Sequence, residues 1–178
     1  MKFLTFKTPA GPRLGALDAS KGICDLAKAA KTLFNNDIPS SLRGLLEAGD
    51  GAINDARAAF AAAQTKGGAD LWTPLSDQII APPLPGAHKN IFCVGRNYKL
   101  HIAEMSRARG AEPSYPKYPE FFSKPPTTIT GHGDGIERHA QHTQKLDYEV
   151  ELAIVIGKSG RNISQADALN HVFGYTVV

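Results

Sequence analysis

The sequence predicts an α+β chain, mainly β, that opens on a small α/β lobe. Three observations carry this. The first 25 residues alternate apolar and polar positions between turn residues, residues 25–66 hold capped runs with helical spacing, and beyond residue 90 apolar residues gather into short runs ended by glycine. The 17 glycines and 12 prolines among 178 residues add a loop-rich fold with many turns.

In order along the chain, residues 2–6 predict a strand, Thr8-Pro9-Ala10-Gly11-Pro12 a turn, residues 13–17 a second strand and residues 18–22 a second turn, together a short meander. Asp25 is placed to cap a helix running to Phe34, and Asn35-Asn36-Asp37-Ile38-Pro39 stops it. Ser40 or Ser41 opens a short helix with Leu42, Leu45 and Leu46 on one face and Gly49 at its end. Asp50 precedes an alanine-rich helix over 52–64, closed by Gly67-Gly68. Small and aliphatic side chains throughout mark residues 1–72 as a packing lobe. Pro74, Pro82, Pro83 and Pro85 mark residues 73–88 as an extended connector, and residues 89–178 as a second domain, denser in polar, aromatic and glycine residues. Within it, residues 91–94 predict a buried strand ending at Gly95, Asn97 a cap for a helix to Ser106, and residues 107–119 a loop. Residues 146–156 form the strongest strand signal, Ser164 and Asp167 resemble a capping box for a helix ending at Gly174, and residues 175–178 begin another strand. No repeat is present.

Composition excludes several classes. A formal charge of +3 is too mild for an obligate nucleic-acid binder. The longest apolar run, residues 152–156, is too short for a membrane span, and no apolar leader follows Met1, so a cytoplasmic protein is expected. Two distant cysteines, Cys24 and Cys93, fit neither a disulfide framework nor a CxxC motif. The sequon at Asn162 then has no glycosylation machinery to meet it.

Chemistry concentrates in two places. On a strand, Asp147, Glu149 and Glu151 share one face, where like charges repel unless a cation neutralises them. The alternatives are a solvated acidic face and a site for a hard divalent ion; the apolar run to Ile156 favours the second. On a helix, His101 and Glu104 are one turn apart, an arrangement that serves either as a surface pair or as a carboxylate-supported general base. His132, His139 and His142 lack the cysteine or HExxH context of a zinc site, and residues 131–135 and 157–159 complete neither GxGxxG nor a P-loop.

Read together, Asn90-Ile-Phe-Cys-Val-Gly-Arg-Asn-Tyr98, His101-x-x-Glu104, Phe121-Phe-Ser-Lys124-Pro125, Asp147-Tyr-Glu-Val-Glu-Leu-Ala-Ile-Val-Ile-Gly-Lys158 and Gly174-Tyr-Thr176 resemble the fumarylacetoacetate hydrolase family. The resemblance covers residues 74–178 and implies a mixed β-roll catalytic domain, a homodimer, and a small-molecule oxo-acid substrate with no nucleic-acid or membrane partner. It implies Mg²⁺ or Mn²⁺ held by Glu149 and Glu151, a water-activating dyad of His101 and Glu104, substrate-holding Lys124, a substrate-binding Arg96 with Tyr98 beside it, and a lid over 107–119 carrying Tyr115 and Tyr118. The implied reaction is hydrolysis of a C–C bond in a fumarylacetoacetate or acylpyruvate type of substrate. The same enolate chemistry without water attack gives the alternatives, isomerisation or decarboxylation of 2-hydroxydienoate or oxaloacetate types. The family places a third metal carboxylate in a segment after Gly-Tyr-Thr; this chain ends at Val178, so the front part of such an enzyme, catalytically incomplete when alone, is expected.

Overall fold

In the computed structural model, which describes residues 1–76 and 79–178, β1 (Lys2–Thr8) turns back into β2 (Gly11–Asp18) and then β3 (Gly22–Asp25). Register runs from Lys2 opposite Leu17 to Thr8 opposite Gly11, and Ala16 faces Cys24. The stretch expected as a connector lends its residues to the two edges: β4 (Trp72–Thr73) pairs with β3 and β5 (Ile80–Ala81) with β1. The result is a five-stranded antiparallel sheet in the order β4-β3-β2-β1-β5. Residues 77 and 78 of that stretch lie outside the described residues. Gly22 permits the β4 edge, because its φ of +94° suits glycine and a Cβ there would lie 2.4 Å from the Thr73 carbonyl oxygen.

Three helices follow their caps. The Asp25 carboxylate accepts from Lys28 N at 3.0 Å to start α1 (Leu26–Phe34), which Asn35 ends in the left-handed region. Ser41 Oγ accepts from Gly44 N at 3.1 Å to start α2 (Leu42–Ala48). In α3 (Asp50–Lys66), Ile53, Ala56, Phe60 and Ala63 recur at helical spacing and are buried. Leu14, Leu26, Leu45 and Leu71 are inaccessible to solvent, each contributing about 2 kcal/mol of burial. Among the described residues the one buried polar residue, Thr5, donates to the Pro83 carbonyl at 2.8 Å, so its burial leaves no lost hydrogen bond.

The chain divides into two compact units, Met1–Leu84 with Thr130–Val178, and Pro85–Ile129. In the second unit β6 (Ile91–Gly95) and β7 (Glu120–Lys124) form a two-stranded antiparallel ribbon, from Ile91 opposite Lys124 to Gly95 opposite Glu120. Between them lie α4 (Lys99–Ala108) and an irregular stretch. The expectation of a buried strand at 91–94 fails here: Phe92 is 72% exposed, because a ribbon of two strands has no covering layer in this unit. Tyr98, not Asn97, occupies the cap position, and without a side-chain cap bond.

In the first unit, residues 130–178 supply β8 (Leu152–Ile156) and β9 (Val172–Val177). The strand expected over 146–156 starts only at Leu152. Glu151 still exchanges two backbone hydrogen bonds with Val178, at 2.8 and 3.0 Å, but no strand lies beside residues 146–150 among those described. Leu152, Ile154 and Ile156 are each more than half exposed, contrary to the interior strand expected. A bulge leaves Phe173 as the extra residue between Gly174, opposite Val155, and Val172, opposite Ile156; its ring packs 5.2 Å from that of Phe3. Ser164 and Asp167 do bond reciprocally, yet the helix after them is a single 3₁₀ turn, Ala168–His171. Among the described residues no helix is long and apolar enough to cross a membrane.

Candidate active site

The second unit builds a polar cleft from a tight turn. Strand β6 ends at Gly95, and Arg96 next adopts φ +51°, a left-handed backbone that a side chain favours little. Register places Glu120 directly opposite Gly95, so its carboxylate reaches the neighbouring guanidinium. Arg96 Nε donates to Glu120 Oε2 at 3.0 Å and Nη2 to Oε1 at 2.6 Å, a two-bond fork. The fork raises the Arg96 guanidinium above its ordinary value and, mainly through hydrogen bonding to Arg96, holds the Glu120 carboxyl below the usual carboxylate range. Both groups therefore stay charged at neutral pH.

Beside the fork is a cleft of about 270 Å³ lined by Arg96, Lys99, Ile102, Tyr115, Lys117 and Tyr118, among others, with no carboxylate of the described residues on its walls. Three cationic side chains and two phenols suit an anion. The Lys117 ammonium lies 5.4 Å from the centre of the Tyr118 ring, which favours the cation electrostatically. Residues 107–119, expected as a loop with lid tyrosines, thus contribute Tyr115 and Tyr118 to this wall, and α4 extends two residues into the stretch, to Ala108.

Helix α4 carries the expected dyad. Ile102 N donates to Tyr98 O at 3.1 Å to close the first turn, and buried Ile102 anchors the helix. His101 is half-buried and Glu104 exposed, on neighbouring positions of successive turns. Among the described residues their side chains make no hydrogen bond or ion pair with each other. Lys124 closes β7 opposite Ile91 and is exposed.

Glu149 and Glu151 belong to the first unit, just before β8. With residues 146–150 outside any strand, the shared face expected for Asp147, Glu149 and Glu151 does not form as a regular strand surface. Among the described residues no basic group pairs with Glu149 or Glu151, and no group of three or more His, Cys, Asp or Glu is close enough to hold a metal ion. Their chemistry fits a hard divalent cation, as two members of an oxygen ligand set. Glu120 and the cationic cleft were missed by sequence reasoning; the signal for both was the pairing of β6 with β7, which joins residues 24 positions apart.

The profile described as "Fumarylacetoacetate (FAA) hydrolase C-terminal" matches residues 90–178, and the chain belongs to the fumarylacetoacetate hydrolase family. Among individual proteins, it is 42% identical over 181 residues to oxaloacetate tautomerase YisK of Bacillus subtilis, covering 100% of this chain and 59% of that protein. It is 33% identical over 180 residues to the human mitochondrial oxaloacetate tautomerase FAHD2A, covering 99% of this chain and 51% of that one. Of solved structures, a fumarylacetoacetate hydrolase from psychrophilic Exiguobacterium antarcticum matches at 32% identity with a TM-score of 0.65, over 99% of this chain and 54% of the other. The chain thus spans about half the length of these relatives, and its mixed α/β, sheet-rich fold is that of this enzyme family.

Proposed function

We propose that the protein carrying this chain is a divalent-metal-assisted oxaloacetate tautomerase, interconverting the keto and enol forms of a dicarboxylic 2-oxo acid. The observation that carries the reading is similarity along the whole chain to proteins named oxaloacetate tautomerase, 42% in one case. The cationic cleft, lined by Arg96, Lys99 and Lys117, supports it by suiting a doubly charged substrate. Hydrolysis of a C–C bond, the first expectation from sequence, becomes the second reading, supported by the neighbour named a fumarylacetoacetate hydrolase.

In this reading Arg96 holds one substrate carboxylate by its planar fork of donors, and Lys124 and Tyr98 steady the rest of the molecule. Conversion of keto to enol breaks one C–H bond at C3 and forms one O–H bond at C2, consuming no water. His101 accepts the C3 proton as a neutral imidazole, and Glu104 one turn away stabilises the imidazolium formed. Glu149 and Glu151 would hold Mg²⁺ or Mn²⁺, and the chemistry such an ion would supply is Lewis-acid polarisation of a carbonyl. Tyr115 and Tyr118 exclude water from the cleft. The working enzyme is a homodimer in this proposal.

The test is spectroscopic. Purified full-length protein with Mg²⁺ accelerates the loss of enol absorbance from fresh oxaloacetate without releasing pyruvate or any cleavage product, and chelation abolishes the acceleration. His101→Ala lowers kcat by roughly 10²- to 10⁴-fold. Cleavage of acylpyruvates together with an unaltered rate of enol decay would instead establish the hydrolase reading.

A further inference from the structure

Glu120 is half-exposed, forks onto Arg96, and is absent from the walls of the cleft that Arg96 lines. A guanidinium carries five N–H donors. Glu120 occupies Nε–H and one Nη2–H, the side edge, which among the described residues leaves one Nη1–H and the second Nη2–H side by side along the end edge, the other Nη1–H facing back towards Cδ. That free edge matches a second carboxylate. We propose that Glu120 is a positioning residue that fixes Arg96 with this end edge available to a substrate carboxylate, and so sets the affinity for dicarboxylic oxo acids. The proposal rests on the reading of Arg96 as the partner of that carboxylate.

Two further features support it. Arg96 sits at a non-glycine φ of +51°, a conformation that persists only where surroundings over-determine it, and the opposition of Gly95 and Glu120 across the ribbon supplies that restraint from the side-chain end. An unheld arginine also samples many rotamers and loses them on binding, whereas one already forked loses fewer. Plain electrostatics predicts the opposite outcome: removing a negative charge beside an anion site tightens anion binding. The sign of the change therefore separates positioning from charge.

Steady-state kinetics of oxaloacetate tautomerisation by the full-length enzyme with Mg²⁺ tests this, using Glu120→Gln, Glu120→Asp, Arg96→Ala and the double variant Arg96→Ala with Glu120→Gln, each checked for folding by circular dichroism. Glu120→Gln is expected to raise KM roughly three- to tenfold with kcat within about twofold of the parent. Glu120→Asp, which keeps the charge, recovers part of the loss, and in the Arg96→Ala background the Glu120 change has no added effect. A KM that is unchanged or lowered in Glu120→Gln, or raised equally when Arg96 is already gone, overturns the proposal. An active parent with an impaired Arg96→Ala and a silent Glu120→Gln removes this inference alone. An Arg96→Ala variant with the parent's KM, or a parent inactive toward oxaloacetate, removes the underlying reading and this inference with it.

Discussion

Residues 1–84 and residues 85–129 use the same ingredients, antiparallel strands and amphipathic helices, to opposite ends. The first stretch closes three helices over a five-stranded sheet and takes whole leucines out of water. The second buries one large apolar side chain, Ile102, and is pinned by polar contacts: the Arg96–Glu120 fork, the Lys117–Tyr118 contact and a ribbon whose phenylalanines stay in solvent. Apolar burial scales with area and tolerates little change, whereas exposed polar pairs contribute little stability but fix direction. The first stretch therefore answers to mutation through folding, and the second through affinity and rate.

Three changes can break or sharpen that contrast. The largest is Leu45→Ala, expected to cost about 2–5 kcal/mol in urea unfolding, against less than about 0.5 kcal/mol for Leu100→Ala, whose side chain is almost wholly exposed. Comparable losses at both would erase the distinction. Next is Asp25, which caps α1 while forking onto Arg13 at 2.6 and 3.0 Å in a partly buried setting; the hydrogen bonds to Asp25 raise the Arg13 guanidinium above its ordinary value, against the opposing effect of burial. Asp25→Ala is expected to cost roughly 1–3 kcal/mol, and Asp25→Asn less, since an amide oxygen can still cap. Smallest is a pH effect. Burial foremost, and the Asp25 charge after it, push the Cys24 thiol from 9.0 up to about 12. Below pH 9 both folded and unfolded chains keep it protonated; from there to about pH 12 the unfolded thiol ionises first, so folding stability falls with rising pH. Thermal unfolding of Cys24→Ala over that alkaline range should show a shallower decline than the parent, and parallel slopes would refute the assignment.

What could be read from sequence follows the range of the interactions involved. Asp25 and Ser41 act on amides three residues ahead, and both caps form as expected. The meander of β1, β2 and β3 needs only two tight turns. Residues 146–151 read as strand because apolar alternation says nothing about where a partner stops, and backbone pairing reaches only as far as Glu151 with Val178. Residues 91–94 read as buried because an apolar run does not reveal whether a second layer exists to cover it. For the site, residue types and spacing flagged His101 and Glu104, the family resemblance added Arg96 on the same short stretch, and Glu120 depended on a cross-strand register that local pattern leaves open.

The bulge at Phe173 bears on how the chain is made. The ring that Phe3 meets is synthesised 170 residues after it, with the whole of Pro85–Ile129 made between them. At translation speeds of about 5–20 residues per second, the completed first sheet and its helices wait roughly 5 to 18 seconds before that contact can form. They must hold their shape through that interval on the leucine core alone, with the Phe3 face open to whatever else is emerging.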